Sequence, residues 1–482
     1  MHFAVTLRVL GILLMLFSLT MVPPLVIALL ADDHSAIGFL SAFGITFFSG
    51  LLMWLPLRDV QQELRIRDGF LITSLFWTVL GTFGALPLAL AEGLELSPVD
   101  AIFESISGLT SSGGTVITGL DALPPSILFY RQLLQWMGGI GIIVVAVAVL
   151  PMLGIGGMQL YKAETPGPSK DNKLTPRIAG TAKALFICYV ILTAACAITY
   201  YLLGMSVFDA IGHSFSTIAL GGFSTHDSSL GYFNSNAILI ASSFFMLISG
   251  INFGLHFLAW RRRSLKVYQR DSETRFYIVA VSCCILTTIV ILIYTNTHGH
   301  HESVIHGVFQ VISIITTTGY STENVSVWPA ELPILAIFFS CMGGCVGSTA
   351  GGIKTMRLML IYKQGIRELK QLVHPQAVIP LKVGRRRVEA TVVSAVWSFF
   401  AVYTTAFIIL LLAMMACGMD FTTGFSAVAA SLNNLGMGIA GVASGFGDIS
   451  ETAKLIMCFA MLLGRLEIFT LLVLFTPAFW RT

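Results

Sequence analysis

The chain has 482 residues, of which 55% are apolar and only 11% charged, with a formal net charge of +3 and a mean hydropathy of +0.83. A soluble domain is normally about a quarter charged, so this composition excludes an ordinary soluble domain and points to repeated membrane spans, while the small net charge gives no sign of a nucleic-acid partner. The eight cysteines form no CxxC pair, and the nearest two are Cys341 and Cys345; they read as packing residues, not as disulfides or a zinc site.

In chain order, ten apolar segments are long enough to cross a bilayer: 5–30, 37–57, 70–91, 128–153, 184–203, 237–259, 276–295, 332–361 (interrupted), 390–417 and 453–476. The first is too long for a signal-peptide core and contains Pro23 and Pro24, so it reads as a retained span. Lys and Arg concentrate in alternate loops: Arg58, Arg65 and Arg67; Lys162, Lys170, Lys173, Arg177 and Lys183; Arg261, Arg262, Arg263, Lys266, Arg270 and Arg275; then Lys363, Arg367, Lys370, Lys382, Arg385, Arg386 and Arg387. The intervening loops 31–36, 92–127, 204–236, 296–331 and 418–452 hold no Lys or Arg. Basic loops stay in the cytoplasm, so both termini are expected there.

Four outer segments resemble one another: "SPVDAIFESISGLTSSGGT" at 97–115, "SVFDAIGHSFSTIALGGFS" at 206–224, "SVIHGVFQVISIITTTGYS" at 303–321 and "DFTTGFSAVAASLNNLGMG" at 420–438. Aligned on Gly113, Gly222, Gly319 and Gly436, each has a capping residue sixteen positions upstream: Ser97, Ser206, Ser303 or Asp420. Such side chains accept hydrogen bonds from the free N–H groups of a helix start. Pro98 suits the first helical position, and Asp100 and Asp209 suit the positive helix end. Ser107, Ser216 and Ser313 stand six residues before the glycine, and the fourth copy has Ala430 there. The pattern predicts an all-α integral membrane protein of about ten transmembrane helices. It has four span–pore-helix–span repeats with four-fold pseudosymmetry, preceded by a two-helix hairpin. The corresponding divisions are 1–60 for the hairpin and 61–160, 161–265, 266–365 and 366–482 for the repeats.

Each short helix starts outside and points its C-terminal end inward. That end carries roughly half a negative charge, so four converging ends favour a cation. Extended backbone after each helix can turn carbonyls to the axis and replace an ion's hydration shell. The candidate residues are Thr110, Ser111, Ser112 and Gly113; Leu220, Gly221 and Gly222; Thr317, Thr318 and Gly319; and Asn434, Leu435 and Gly436. Thr316, Thr317, Thr318, Asn433 and Asn434 add uncharged oxygens near the ion, and no ring of carboxylates suggests a divalent cation. Basic-free outer loops avoid repelling incoming cations.

"TTTGYS" resembles the potassium-channel filter TVGYG. Four linked units in one chain resemble the Trk/Ktr/HKT superfamily of potassium transporters. The motifs "FYRQLLQWMGGIGIIV" at 129–144, "IGHSFSTIALGGFSTHD" at 211–227, "CMGGCVGSTAGGIKTMR" at 341–357 and "LLGRLEIFTLLVLFTPAFWR" at 462–481 are similar to its TrkH and TrkG branch, as is the N-terminal hairpin. The resemblance implies channel-like, low-affinity potassium uptake across the bacterial inner membrane, with K+ bound at filter carbonyls and no covalent cofactor. It implies a homodimer in membrane lipid and a TrkA-like cytosolic partner that binds nucleotides and NAD(H), docked by the basic loops 154–183 and 362–389. All four filter positions are glycine, which in this superfamily goes with potassium over sodium. Met437 stands where members commonly carry proline.

The segment "GGCVGSTAGG" at 343–352 holds five glycines in ten residues, and each costs about 1 kcal/mol against alanine within a helix. Either the helix breaks there, which a lined cavity tolerates, or small residues permit close helix packing. The resemblance implies a gating loop: Gly343, Gly344, Gly347, Ser348, Gly351, Gly352 and Lys354, with Lys354 either snorkelling to the interface or competing with ions. Arg465 falls midway along the last expected span, where a central Arg costs about 2.5–3.5 kcal/mol. Neighbouring carbonyls satisfy it, or, as the resemblance implies, it forms an electrostatic barrier below the filter. Glu467 points to another helix face and is a poor partner for it.

"THGHHE" at 297–302 reads as a solvated outer loop, with metal binding the alternative. Glu104 braces filter backbone from behind or attracts cations; it is also the titratable group near the filter that a proton- or sodium-coupled symporter would need. "GHSFS" at 212–216 falls one glycine short of a nucleophile elbow. No Walker, GxGxxG or HExxH motif and no intramembrane nucleophile–base pair appears in the sequence, so an enzyme or built-in ATPase is not expected. A receptor or scaffold leaves the four capped helices unexplained.

Overall fold

The computed structural model describes residues 3–60, 66–144, 175–329, 331–384 and 386–481. Six of its helices are long and apolar enough to cross a membrane: Phe3–Ala31, Ala36–Leu57, Arg67–Leu90, Ala182–Leu202, Ser272–Tyr294 and Ala390–Ala416. The first two form the N-terminal hairpin. Gly11 and Gly50 set its closeness, since a Cβ on either would lie 2.7 Å from the other's carbonyl oxygen; small residues of this kind let helix backbones approach in membranes. Pro23 and Pro24 fall in the first turn of Val22–Ala31, where the missing N–H groups cost no helical bond.

Two expected spans are not straight. Asn236–Ser249 turns by 94° into Phe253–Arg262, and Glu451–Arg465 turns by 109° into Phe469–Phe475. At the first bend Asn252 restarts the helix, its side chain accepting from Gly254 N at 2.7 Å, while Gly250 O accepts from Cys345 N at 2.8 Å. At the second, Glu467 and Ile468 take left-handed backbone angles, φ 53° and 59°. The interruption at 332–361 is present: Glu331–Ser340 ends, a loop follows, and Thr355–Val373 resumes. The expected span 128–153 is seen as Pro125–Val144; its remainder, with Lys162, Lys170, Lys173 and Arg65, lies outside the described residues. Loop 362–389 begins as the end of Thr355–Val373 and continues into a two-stranded antiparallel hairpin, Lys382–Val383 against Arg386–Arg387.

The four short helices are Pro98–Leu109, Val207–Ala219, His300–Ile315 and Phe421–Leu432, and none reaches the roughly 20 residues that crossing requires. The first and fourth share one buried core with the N-terminal hairpin, and the second and third share another. Phe446 against Phe103, with ring centroids 5.4 Å apart, ties the fourth repeat to the first. Tyr320 Oη, donating to His213 O at 3.1 Å, ties the third to the second.

Candidate functional site

The local chemistry of each short helix fixes where its last turn points. Ser97 accepts from Asp100 N at 3.1 Å, Ser206 from Asp209 N at 3.0 Å and Asp420 from Thr423 N at 3.0 Å, as expected of caps. Ser303 does not cap. The third helix begins a turn earlier, with Gly299 at its N-cap, so His300, His301 and Glu302 lie in a helical turn and not in an outer loop. Its first turn needs no serine there because chain upstream continues the helix. His298 Nε2 instead meets Glu323 Oε1 at 3.0 Å, and among the described residues no three ligand-type side chains gather as a metal site.

All four helices end in the same way. The backbone N–H before each filter glycine returns to the carbonyl five residues upstream: Ser112 to Ser107 (2.8 Å), Gly221 to Ser216 (2.9 Å), Thr318 to Ser313 (2.8 Å) and Leu435 to Ala430 (2.8 Å). Ser111, Leu220, Thr317 and Asn434 then adopt left-handed angles of 51–58°, and Gly113, Gly222, Gly319 and Gly436 have φ of 73–85°. Only glycine enters the second of these positions without strain. The glycines also have no room for a side chain. A Cβ on Gly113 would collide with Gly221 O, on Gly222 with Thr318 O, on Gly319 with Leu435 O, and on Gly436 with Ser112 O. Each glycine thus rests against the carbonyl that precedes the next glycine, and the fourth returns to the first. The four strands form a closed ring in chain order.

The hydroxyls frame this ring. Thr110 Oγ1 donates to Ile106 O at 2.7 Å and lies 2.9 Å from Ser112 Oγ. Thr316 repeats both contacts, to Ile312 O and Thr318 Oγ1, each at 2.7 Å. Ser107 and Ser313 donate to the carbonyls just beyond the glycines, Gly114 O at 2.5 Å and Tyr320 O at 2.7 Å. Asn433 accepts from Tyr403 Oη at 2.6 Å and donates to Ser340 Oγ at 2.9 Å. Asn434 donates to Ser112 Oγ at 2.7 Å, bracing the neighbouring strand.

Glu104 is a brace behind the first strand. Its carboxylate accepts from Val116 N at 3.0 Å and Thr115 Oγ1 at 2.9 Å, and it pairs at 2.7 Å with Arg131, both fully buried. Arg131 also donates to Ser224 O at 3.4 Å and lies over the Phe223 ring at 4.3 Å, joining first and second strands. Gln135 does the same lower down, donating to Gly221 O at 2.7 Å and accepting from Phe223 N at 3.1 Å. Lys454, a second buried cation, pairs with Asp100 at 2.6 Å. Arg131, Gln135 and Lys454 are absent from the sequence reading of the site. A cation inside an expected span is the signal that marks Arg131 and Lys454.

Below the ring lies the loop between Cys341 and Lys354. Gly351 N donates to Thr317 Oγ1 at 2.7 Å, Gly352 N to Asn433 O at 3.0 Å, and Thr349 Oγ1 to Ile218 O at 2.9 Å. Arg465 completes the set, donating to Thr349 O at 3.1 Å, Ser111 Oγ at 3.2 Å and Gly138 O at 3.1 Å. The loop and Arg465 together therefore touch all four copies where the short helix gives way to the strand, the second at Ile218 in the last turn of its helix. Gly343, Gly347 and Gly352 turn the loop through positive φ. Ser348 closes a local turn, donating to Cys345 O at 2.6 Å, and Gly344 O accepts from Thr355 N at 3.0 Å. Lys354 is buried and donates to Ala350 O, so it does not snorkel. Arg465 is the last residue of its helix, at the bend before Phe469–Phe475. Glu467 pairs with Arg357, in keeping with its poor placement for Arg465.

Above the ring a cavity of about 570 Å³ is lined by all four filter glycines. His226 Nδ1 on its wall lies 2.5 Å from Asp121 Oδ1, and this hydrogen bond holds the Asp121 carboxyl below its ordinary range. Acidic groups and the absence of Lys or Arg from these outer loops give a mouth hospitable to cations.

The TrkH family model, described as a cation transport protein, matches residues 37–482. The chain is 54% identical to the Trk system potassium uptake protein TrkH of Halomonas elongata and 51% identical to that of Escherichia coli K12, over the full length of each. It is similar in structure to the potassium transporter TrkH from Vibrio parahaemolyticus, with a TM-score of 0.93 at 49% identity and full coverage of both chains. Four-fold filter geometry, family match and whole-length kinship agree: the chain belongs to the TrkH family.

Proposed function

We propose that this protein takes up potassium through one central pore, with K+ held by the carbonyls of Thr110–Gly113, 220–222, 317–319 and 434–436 and no resident cofactor. The observation that carries this reading is the closed ring in which each filter glycine abuts the carbonyl before the next. Uncharged backbone oxygens around one axis suit a monovalent ion that must bind and leave again. The membrane potential supplies about 2.3 kcal/mol per charge per 100 mV. The names of the full-length relatives, potassium uptake proteins, support the same ion.

The loop 343–354 and Arg465 act as the gate. At an effective dielectric of about 20, a unit charge about 5 Å from a guanidinium is repelled by roughly 3 kcal/mol. That exceeds what 100 mV provides, so conduction requires the loop and Arg465 to withdraw. The functional division follows the four repeats 61–160, 161–265, 266–365 and 366–482 after the hairpin 1–60. We place the protein in a bacterial inner membrane with both termini cytoplasmic, as a homodimer, controlled by a TrkA-like nucleotide- and NAD(H)-binding partner. The basic stretch around Lys363, Arg367 and Lys370 offers that partner a surface. Coupling to protons has little support, because the acidic side chain behind the filter, Glu104, is committed to Arg131. Expression in a host lacking its own potassium uptake tests the reading: growth on low potassium should be restored, and failure to restore it together with the host's regulatory partner would count against potassium uptake.

A further inference from the structure

The segment "RRRSLKVYQR" at 261–270 plays no part in the pore. It begins in the last turn of the helix Phe253–Arg262, which turns 94° away from the apolar helix Asn236–Ser249 before it. Arg263 ends that helix in a left-handed turn, and the short helix Lys266–Arg270 follows. Arg261, Arg262, Arg263, Lys266 and Arg270 are all exposed. Among the described residues none of these five makes an ion pair. Asp271 is nearby, but its carboxylate is occupied in capping the next helix, accepting from Thr274 N at 2.7 Å.

Two adjoining cavities flank this turn and share Ser264. One, of about 390 Å³, is walled by the cations Arg262, Lys266 and Arg270. The other, of about 530 Å³, is walled by Cys188, Ile191 and Leu192 of the spanning helix and by Trp260 and Leu265. Ile191 is half exposed on the outer face of its span, and Trp260 and Leu265 are 61% and 76% exposed. A basic pocket thus opens directly into an apolar slot continuous with a bilayer-facing wall. An indole at that level matches the aromatic belt of membrane interfaces.

From this pairing of pockets we infer that the turn at 260–270 is a binding site for an anionic phospholipid of the cytoplasmic leaflet, its phosphate held by Arg262, Lys266 and Arg270 and one acyl chain laid against Cys188, Ile191 and Leu192. Charge selects the headgroup, and the slot selects an amphiphile over a free anion. A soluble acidic protein would use the cations but leave the slot empty. The site rests on the proposed cytoplasmic orientation, but its readout does not involve transport.

Trp260 reports on the site directly. The full-length protein is placed in phosphatidylcholine vesicles containing increasing phosphatidylglycerol with brominated chains, and tryptophan quenching is compared with that of a Trp260→Phe variant. The difference between the two isolates Trp260. It should half-quench at about a fivefold lower mole fraction of brominated phosphatidylglycerol than of brominated phosphatidylcholine, the effect of one well-used cation near a membrane surface. The variant Arg262→Gln/Lys266→Gln/Arg270→Gln should quench equally with both lipids. Filling the slot by Cys188→Phe should weaken quenching by either. Inorganic phosphate at millimolar concentration should not compete. Equal quenching by the two lipids in the unaltered protein, a preference that survives the triple variant, or displacement by free phosphate would each overturn the lipid site.

Discussion

The four strands are held by two kinds of bond, local and distant. Locally, each strand is tied to its own short helix: the returning backbone bond, the left-handed pair of residues and, in the first and third copies, the serine behind the glycine. The distant bonds come from donors elsewhere in the chain, namely Thr349, Gly351 and Gly352 of the loop and Arg465 of the last helix. Bonds made within one unit persist when neighbouring elements move. Bonds made between elements are lost together when one element withdraws. The glycine ring is therefore built largely from local bonds, and the contacts of the loop and Arg465 run between units.

The comparison predicts a graded set of outcomes. The largest effect belongs to Gly319→Ala, which adds a methyl against Leu435 O at a backbone φ of 85°. Uptake should be lost, and protein yield should fall as well; normal uptake would mean that the ring is not rigid. Glu104→Gln leaves Arg131 buried without its counter-charge, a change that typically costs about 3–5 kcal/mol. A marked drop in the thermal unfolding midpoint in detergent is expected, and removing both charges together should restore part of it.

For the distant bonds the sign reverses. Arg465→Ala removes three hydrogen bonds and a charge, and flux should rise by about tenfold, since each 1.4 kcal/mol of barrier is worth a factor of ten. Unchanged or reduced potassium flux, with normal amounts of protein in the membrane, would show that Arg465 is only a packing residue. Thr317→Val removes a single loop contact, Gly351 N to Thr317 Oγ1, and should give a smaller rise of the same sign.

The smallest effect probes the one copy with no serine six residues before its glycine. Ser107 and Ser313 support the carbonyls of Gly114 and Tyr320, but the fourth helix has Ala430 at that place and no hydroxyl behind Met437. Gln310 Nε2 approaches the Met437 sulfur at 3.2 Å instead. Ala430→Ser should tighten the fourth strand and raise the potassium-to-sodium flux ratio by about twofold, the scale of part of one net hydrogen bond. A falling ratio would place the looseness elsewhere.

What the sequence disclosed follows the same division. Caps, glycines and helix lengths are local chemistry, so the four short helices and the glycine that follows each were legible from residue spacing. Ser303 misled because the third copy keeps the cap residue type but adds helix upstream. The bends after Ser249 and Arg465 were not legible, because both halves of each bend are apolar and the turning forces come from distant partners, Cys345 at one and Arg357 at the other. The Glu104–Arg131 pair was half legible: Glu104 stood out as a charge behind the first glycine, but nothing in the spacing joins it to Arg131. The docking of the loop under three of the copies, and of Arg465 under the first, lies wholly in tertiary contacts.

The central claim is that a ring of backbone carbonyls selects the ion. Purified protein in liposomes, with fluxes of K+, Na+, Rb+ and Li+ measured in the Arg465→Ala background to keep the gate from masking conduction, tests it most directly. The account predicts passage of K+ and Rb+ well above Na+ and Li+. Equal passage of all four ions would contradict it.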